Sequence, residues 1–430
     1  MKELFKSVIV RILTAEAAFL LRRKKPTIIA LTGSVGKTST KDAIYSAVKG
    51  SVRARKSQKS FNSEIGVPLT VLGLPNGWSN PFLWIKNVVD GFFAIFFSKD
   101  YPDVLILETG VDTPGDMQRL TSWMQPDMVV LTRLPDIPAH VEQFATPEAV
   151  VVEKMKLVES LKPNGKLIYN NDDTIIQAQL PGVRHEQIGF SRYVPSDFTA
   201  SKDRVVYKDD MPIGVEFVIT HKGESHKVLL KDTIGTQHMY SACAAVCVAV
   251  EIGVPVNTAI SGLQNHQSPP GRMRLIPGIK STLLIDDTYN SSPVAVESAL
   301  QALVEIKYAT RKIIVLGDML ELGKYSSIEH EKIGALAAKT ATILFTVGVR
   351  ARQIASGALS AGMSEKNIFQ YDDAERAGRE LQTLLQLGDV VLIKASQGIR
   401  AERIIEEVME YPELASQQLV RQDNTWKSIA

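Results

Sequence analysis

The chain has 430 residues, of which 45% are hydrophobic and 22% are charged. This composition excludes a largely disordered chain, and the length predicts two or three domains, each with its own core. A formal net charge of +2 provides no general attraction to nucleic acid, so no nucleic-acid-binding function is expected.

The first 26 residues are predicted to form an amphipathic helix. Lysines precede an apolar stretch here, as they do in a signal peptide. However, Arg11 and Glu16 interrupt the stretch, no convincing cleavage site follows, and a β-branched run begins at Thr27.

Short β-branched runs alternate with helical patterns from Thr27 onward, which is typical of a parallel sheet with crossover helices. The runs are TIIALTG, VLILETG, MVVLTRL and KLIYNND. Between Val183 and Leu230 the pattern changes to polar, alternating segments, which predict added antiparallel hairpins. We therefore expect a central α/β domain over residues 27–267.

A second α/β series begins after the turn signal SPPGR at residues 268–272. Its predicted strands are LLIDD, KIIVLGD, ILFTVG and VVLIKAS. Residues 268–430 are therefore predicted to form a Rossmann-like C-terminal domain.

The two cysteines of the chain, Cys243 and Cys247, lie in an apolar run where a helix would place both on one face. Two cysteines provide neither a zinc ribbon nor a disulfide framework. We therefore expect buried, reduced thiols and a cytoplasmic protein.

Residues 81–100 form an apolar, aromatic segment, PFLWIKNVVDGFFAIFFSKD. Lys86 and Asp90 interrupt it, and it is short for a membrane span, so it is either a core helix or an interfacial helix. Packing against the N-terminal helix is favoured over peripheral membrane contact because of this length. If both helices faced a membrane, a lipid-linked substrate would become plausible.

The segment TIIALTGSVGKTSTKDAIYSAV combines an apolar strand, a glycine loop and a helix that begins near Lys37. Loop N–H groups and the positive helix end converge on phosphates, Lys37 supplies a cation, and the Thr38 hydroxyl suits magnesium. The strand and helix on either side disfavour a chance glycine turn. The predicted ATP-binding loop residues are Gly33, Ser34, Val35, Gly36, Lys37, Thr38 and Ser39.

Glu108 ends the VLILE run, so its carboxylate is predicted at the C-terminal edge of the sheet. Magnesium prefers oxygen ligands and bridges phosphates, so we interpret Glu108 as a magnesium ligand. The alternative is a solvated glutamate at the end of a strand.

Lys154 lies in the middle of the apolar face of a helix that is predicted to begin after Thr146 and to end at the PNG turn. Glu153, Lys156, Glu159 and Ser160 are expected to point away from that face. Burial lowers the pKa of a lysine and makes a neutral amine available. The alternative is a side chain that extends off the apolar face to solvent.

The phosphate loop, in its short TGxxGKT form, resembles that of the Mur ligase family, and other ordered blocks continue the resemblance. FNSEIGVPLTVL resembles the family's N-x-x-[DE]-I-G-x-P signature, LETGVDTPGDM its E-x-G segment, and AHVEQF its A-H-x-E-x-F block. PGRM, IDDTYNSSP, VLGDMLELG and KASQGIR resemble blocks of the members that add D-alanyl-D-alanine.

The resemblance implies a ligase that uses ATP to form an acyl phosphate on a UDP-MurNAc-tripeptide and then adds D-Ala-D-Ala, in peptidoglycan precursor synthesis. It also implies two Mg²⁺ ions organised by Thr38, Glu108, His140 and a carbamylated Lys154. The further nucleotide contacts that it implies are Arg272 and Asp287. The residues that it places near the substrates are Asn62, Asp318, His330, Lys394, Ser396 and Arg400.

Two departures from the family pattern change the expectations. Gln237, His238 and Ser241 stand where the family has a G-x-H-N block and a later asparagine. About two dozen residues precede the loop strand, so the usual N-terminal domain that binds the UDP sugar is not expected. Two alternatives to this function remain. One is the same chemistry on a lipid-linked or poly-amino-acid acceptor, and the other is an ATP-binding scaffold that acts through an unidentified partner.

Overall fold

The computed structural model describes residues 2–58, 61–78, 80–138, 140–307, 309–423 and 426, which form two β-sheets flanked by helices. The strands of the first sheet are β1 (Thr27–Thr32), β2 (Ala54–Lys56), β3 (Val104–Glu108), β4 (Met128–Leu131), β5 (Lys166–Asn170), β6 (Glu186–Ser191), β7 (Phe198–Lys208), β8 (Met211–His221) and β9 (Glu224–Lys231). The strands of the second sheet are β10 (Arg274–Gly278), β11 (Thr282–Asp287), β12 (Lys312–Gly317), β13 (Ile343–Val347), β14 (Ile368–Tyr371) and β15 (Val390–Lys394).

The helices follow the two sheets along the chain. Those before and around the first sheet are α1 (Lys2–Lys24), α2 (Lys37–Val48), α3 (Gly66–Leu72), α4 (Pro81–Phe97), α5 (Asp116–Thr121), α6 (Pro147–Glu159), α7 (Thr174–Gln179), α8 (Gln237–Glu251) and α9 (Val256–Gln264). Those around the second sheet are α10 (Pro293–Val304), α11 (Ser326–Thr340), α12 (Arg352–Ser360), α13 (Ala374–Leu384), α14 (Glu402–Val408) and α15 (Ala415–Gln418).

The first sheet has the strand order β2-β3-β1-β4-β5-β6-β7-β8-β9. Strands β1 to β6 are parallel, and β7, β8 and β9 form the predicted antiparallel hairpins. The prediction was wrong at the start of this region, because β6 pairs in parallel with β5 and extends the central sheet. The sequence of β6 has the polar, alternating pattern of an antiparallel strand, because a strand near the end of a sheet has partly polar faces.

The central strand β1 is buried on both faces, as expected for a parallel sheet that is covered by helices on each side. Ile29 and Leu31 point into the core beneath α2, α8 and α9, whereas Ile28 and Ala30 point into the core beneath α1, α3 and α6. Both cysteines lie in the first of these cores as buried, free thiols, which confirms the predicted helix face.

Helices α1 and α4 pack against each other on one side of the first sheet. α1 buries a stripe that includes Leu13, Ala17 and Leu20, and α4 buries Asn87, Gly91 and Ile95. The predicted packing between the two helices is therefore confirmed. Of the two alternatives left open for α4, a core helix does not fit, because most of its aromatic side chains are exposed.

The second sheet has the order β10-β11-β15-β12-β13-β14, in which β10 is antiparallel and the others are parallel. Helices cover both faces, which confirms the predicted α/β class with a Rossmann-like second sheet. The division of the chain after residue 267 stays a prediction.

The described helices include none that is both long and apolar enough to cross a membrane. Two parts of the predicted features, Met1 of the N-terminal helix and Ala139 of the AHVEQF block, lie outside the described residues.

Candidate active site

The phosphate loop connects β1 to α2 and lies against the end of β4. Gly33 has φ of 145°, and a Cβ there would lie 2.1 Å from Thr132 Oγ1, so a side chain cannot be accommodated. Gly36 has φ of 87° and caps the start of α2. The sequence order of strand, glycine loop and helix is therefore present, and it directs the N-terminus of α2 toward the site.

Glu108 lies at the end of β3, in register with Leu31 of β1, and its carboxylate is buried beside the loop. The Thr38 hydroxyl donates to it at 3.0 Å, and Asn62 Nδ2 lies 3.4 Å from it. Lys41 forms an ion pair with the same carboxylate at 3.3 Å. The sequence analysis did not single out Lys41, although its place one turn after Lys37 on α2 puts it on the same helix face.

Lys154 is 1% exposed and reaches the phosphate loop from α6. Its Nζ atom lies 3.3 Å from the carbonyl oxygen of Gly33, and Lys37 Nζ donates to the same oxygen at 2.7 Å. Burial holds the pKa of Lys154 well below its usual value, and the Lys37 cation lowers it further, whereas Asp112 opposes the shift. The buried placement of this amine matches the helical pattern in the sequence.

The neighbouring Glu153 differs from its expected place on the solvent side of α6. It is 4% exposed and accepts a hydrogen bond from the backbone N–H of Met117 at 2.9 Å. Lys156 donates to its other oxygen at 2.7 Å. Because α5 covers this side of α6, the helix is buried over a wider arc than its apolar residues indicate.

His140 follows β4 in a left-handed conformation with φ of 66°. Its Nδ1 atom lies 2.8 Å from the Glu321 carboxylate, and its Nε2 atom lies 3.7 Å from Asp112. The hydrogen bond to His140 lowers the pKa of Glu321. Glu321 belongs to the loop after β12, so His140 connects the two sheets.

The second sheet contributes a buried ion pair where β11 and β15 end side by side. Lys394 Nζ lies 2.6 Å from Asp287 Oδ2 and 2.9 Å from the carbonyl oxygen of Asn290. Burial lowers the pKa of Lys394, and Asp287 opposes that shift. Nearby, the Arg272 guanidinium lies 4.2 Å from the centre of the Tyr289 ring.

Two adjoining cavities share the phosphate loop. We call the first the α8 cavity, lined by Val35, Gly36, Ser39, Thr40, Thr132, Arg133, Asn170, Phe190, Thr236, Gln237, His238, Tyr240, Ser241, Arg272, Met273, Asp287, Ala295, Ser298 and Lys394. We call the second the loop cleft, lined by Ser34, Val35, Gly36, Lys37, Thr38, Asn62, Glu108, Asp112, Thr113, His140, Gln143, Arg272, Tyr289, Asn290, Ser291, Ser292, Ala295, Leu320, Glu321, Ser396, Gln397 and Gly398. Both cavities lie between the two sheets.

Two domains of one family match the parts of the chain that carry Glu108, His140, Lys154 and the second-sheet residues of this site, whereas the phosphate loop precedes both matches. Residues 87–249 match the Mur ligase middle domain, and residues 271–397 match the glutamate ligase domain of Mur ligases. Together the matches cover about two thirds of the chain. The chain belongs to the Mur ligase family.

Full-length relatives of this Mur ligase extend the match. The UDP-N-acetylmuramoyl-tripeptide–D-alanyl-D-alanine ligase of Bacillus subtilis is 27% identical over 388 residues, covering 90% of this chain and 76% of that protein. The Escherichia coli ligase of the same name is 27% identical, and the match covers 93% of this chain and 81% of that protein. The crystal structure of MurF ligase from Thermotoga maritima in complex with ADP shares the fold, with a TM-score of 0.75 at 24% identity and 95% and 84% covered.

Several residues that the family resemblance places near the substrates lie behind the Mur ligase cavities. Asp318 accepts from the backbone N–H of Ala351 at 2.7 Å, and buried His330 accepts from Met319 N at 2.9 Å. Arg400 donates to Glu402 at 2.6 Å. These three side chains line neither cavity and hold loops in place, and their position near the amine substrate stays a prediction.

The other residues that the resemblance places near the substrates line the two cavities, among them Lys394. It faces the α8 cavity with Asp287, whereas Asn62 and Ser396 line the loop cleft. Ser396 Oγ accepts from Leu320 N at 2.9 Å, which positions the loop that carries Glu321. Gln237, His238 and Ser241 line the α8 cavity despite their departure from the family pattern.

The oxygen atoms beside the loop fit magnesium. Within the described ranges, no three His, Cys, Asp or Glu side chains form a group that could hold a metal ion. Magnesium at nucleotide sites is bound by one or two protein groups, with phosphate oxygens and water completing the shell. Thr38 Oγ1 and the Glu108 carboxylate form such a pair, whereas the Lys154 amine as it stands offers no anionic ligand.

Proposed function

We propose that this chain is an ATP-dependent ligase that joins the terminal carboxylate of a UDP-MurNAc-tripeptide to the amine of D-Ala-D-Ala. The observation that carries the proposal is the convergence of Lys37, Lys154 and Glu108 on one phosphate loop between the two sheets. The names of the similar full-length ligases supply the two substrates.

ATP would place its phosphates on the loop and its adenosine in the α8 cavity. Loop N–H groups and the N-terminus of α2 bind the phosphates, as the glycine backbone allows. Two polar atoms at the α8 cavity, Gln237 Oε1 and Arg272 Nε, are buried and have no hydrogen-bond partner among the described residues. Such atoms are stabilised by a polar ligand such as the base or ribose.

In the first step, a carboxylate oxygen of the tripeptide bonds to the γ-phosphorus, the bond to the β-phosphate oxygen breaks, and ADP leaves. Lys37 neutralises charge on the transferring phosphoryl group. Thr38 and Glu108 would hold one magnesium ion, which neutralises phosphate charge when bound. A second ion would be held by His140 and Lys154. Lys154 could serve as a ligand only after its amine is converted to a group with anionic oxygen atoms.

We propose that Lys154 is carbamylated. Its neutral amine nitrogen would bond to the carbon of CO₂ and lose a proton, which leaves an anionic carbamate. Burial and the nearby Lys37 cation both favour the neutral amine, and Lys37 then stabilises the carbamate by opposite charge. The carbamate gives the buried lysine oxygen atoms that are suited to magnesium.

In the second step, the amine nitrogen of D-Ala-D-Ala bonds to the acyl carbon, the bond to the phosphate oxygen breaks, and the nitrogen loses a proton. The products are an amide, ADP and phosphate. The loop cleft extends from the phosphate loop to Tyr289, Asn290 and Ser396 of the second sheet, so both substrates could meet there.

Phosphate release from ATP and magnesium tests the proposal, with each substrate alone and with both together. The native chain is compared with Lys154→Ala and with Lys162→Ala, a lysine near the end of α6 whose ammonium pairs with Asp127. We expect release only with both substrates, a pentapeptide product by mass spectrometry, and a loss of about 100-fold or more in Lys154→Ala.

Two outcomes contradict the proposal. Release of phosphate from ATP in the absence of both substrates would indicate a different reaction. Tight ATP binding without release in the presence of both substrates would indicate another acceptor or a non-catalytic scaffold, which panels of defined acceptors then distinguish.

A further inference from the structure

Helix α4 presents an exposed aromatic face on the side opposite its buried stripe. Phe82 is 80% exposed and Phe97 is 69% exposed, although both side chains are fully apolar. Soluble proteins rarely expose contiguous apolar surface of this kind without a function. The aromatic face consists of Phe82, Ile85, Val89, Phe92, Phe93, Phe96 and Phe97.

The exposed rings form a continuous stripe along the helix. The ring centres of Phe92 and Phe96 are 5.2 Å apart, and those of Phe93 and Phe97 are 5.8 Å apart. Residues three and four positions apart share a helix face, which is the spacing of these residues. The stripe therefore follows the whole helix, about 25 Å at the rise of an α-helix.

Helix α1 lies beside this stripe and adds to it. Lys24 Nζ donates to the carbonyl oxygen of Ser98, and the Arg23 guanidinium lies 5.5 Å from the centre of the Phe96 ring. The contacts of Glu16 with Gly91 and of Arg23 with Phe96 show that the two helices run in the same direction. Further exposed apolar side chains on α1 are Val8, Ile12 and Phe19.

The charges around the aromatic face have one predominant sign. Exposed basic side chains of α1 and the residue after it are Lys6, Arg11, Arg22, Arg23 and Lys25. Glu16 of the same helix is turned toward α4 and is partly buried, and burial raises its pKa to about 7. Within α4 itself, Lys86 forms an ion pair with Asp90. The basic cluster thus lies at the edge of an apolar surface.

We propose that the surface formed by α1 and α4 docks on an anionic lipid membrane. The aromatic face would enter the boundary between headgroups and acyl chains, while the arginine and lysine side chains remain among the anionic headgroups. A helix that combines an apolar face rich in phenylalanine with basic residues beside it binds in the plane of such an interface.

A lipid surface fits these observations better than a second copy of the chain. A two-fold symmetric contact through the aromatic face would bring two basic clusters to one interface, where like charges repel. A membrane presents negative charge beside apolar acyl chains, so it complements both features at once.

Vesicle sedimentation with the full chain tests the proposal. The native chain is mixed with vesicles of equal parts phosphatidylglycerol and phosphatidylcholine, and with vesicles of phosphatidylcholine alone. We expect sedimentation with the first and at least about fivefold less with the second, since each surface basic residue favours anionic lipid by about fivefold. Raising the salt to about 0.5 M should weaken binding, because it screens surface charge.

Two variants and a matched control locate the surface. Phe92→Ser/Phe93→Ser/Phe96→Ser removes apolar area, and Arg22→Ala/Arg23→Ala/Lys25→Ala removes charge. Val349→Ser/Leu387→Ser replaces two exposed apolar residues elsewhere on the surface. The substituted side chains are all exposed, so folding should be retained, and a thermal melt checks this. We expect about a tenfold or greater loss of vesicle binding in the first two variants and none in the control.

Three results would overturn the proposal. The first is a native chain that stays in the supernatant with both kinds of vesicle, and the second is a control variant that loses as much binding as the phenylalanine variant. The third is a native dimer in analytical ultracentrifugation together with a monomeric phenylalanine variant, which would identify a second copy as the occupant.

Discussion

Lys37 and Lys154 donate to the same carbonyl oxygen, that of Gly33, at 2.7 and 3.3 Å. Two ammonium groups held this close in a buried site repel each other. Burial lowers the pKa of both amines, and the shift is larger for Lys154. The neutral amine of Lys154 is therefore the form that a buried neighbouring cation favours.

Removal of dissolved CO₂ should lower the rate of phosphate release, and added bicarbonate should restore it. The reason is that an uncarbamylated Lys154 carries no anionic oxygen for a second magnesium ion. We expect a decrease of about tenfold or more, with no change in the melting temperature. In Lys154→Ala, acetate or formate should restore part of the rate where bicarbonate does not. A rate that is insensitive to CO₂ depletion would count against carbamylation.

Glu108→Gln should reduce both activity and stability. The substitution retains a hydrogen-bond acceptor for Thr38 but removes the charge that compensates buried Lys41 at 3.3 Å. Asp42, at 3.8 Å, remains as a partner of Lys41, so we expect the free energy of unfolding to fall by up to about 3 kcal/mol, which denaturant titration measures.

The double variant Lys41→Met/Glu108→Gln separates the two effects. It removes both charges, so we expect most of the lost stability to return, while phosphate release stays low because the proposed magnesium ligand is absent. Full recovery of phosphate release in the double variant would show that Glu108 acts only on Lys41.

Asp287→Asn should destabilise the second sheet and weaken ATP binding. Lys394 is buried with Asp287 at 2.6 Å, and loss of the carboxylate leaves its cation without this charge partner. We expect the free energy of unfolding to decrease by about 3 kcal/mol and the KM for ATP to rise. The control is Asp372→Asn, which breaks an exposed pair with Arg352 and should change stability by less than about 0.5 kcal/mol.

The strands, the phosphate loop and buried Lys154 could be predicted because each depends on a local pattern. Alternating β-branched runs indicate strands of both sheets, and helical spacing alone predicts that Lys154 lies among apolar neighbours. Glu108 was predictable in the same way, since the end of a parallel strand fixes the edge of the sheet on which it lies.

Features that depend on distant parts of the chain were missed. The burial of Glu153 requires α5, and the contact of His140 with Glu321 requires the second sheet. The exposure of α4 depends on how much of the helix α1 covers, which residue type alone does not indicate. The family resemblance places Asp318 near a substrate, but a sequence block does not reveal that this acid also accepts from the backbone N–H of Ala351.

The stability of the α1–α4 contact should depend on pH through Glu16. Burial raises its pKa from 4.5 to about 7, and its Oε2 atom is buried without a hydrogen-bond partner among the described residues. Between pH 4.5 and 7 the folded chain therefore binds more protons than the unfolded chain, so stability falls as pH rises through this range. Above about pH 7 the full free-energy cost of burying the charged Glu16 carboxylate is present.

Glu16→Gln should remove this dependence. We expect its melting temperature to exceed that of the native chain by about 2 °C at pH 8, and the difference to disappear near pH 4.5. Glu224→Gln, at an exposed position in β9, is the control and should leave the native pH profile unchanged. A constant difference at all pH values would show that the glutamate does not titrate in this range.

The contact between His140 and Glu321 fixes which nitrogen of the imidazole carries the proton. A carboxylate can only accept, so Nδ1 at 2.8 Å must donate, and in the neutral ring Nε2 keeps its lone pair. Histidine ligands of metal ions are commonly oriented in this way by a carboxylate behind the ring. Glu321 of one half of the molecule thus sets the tautomer of His140, which belongs to the other half and is the proposed metal ligand. Separating the halves would leave the imidazole free to rotate and to exchange its tautomers.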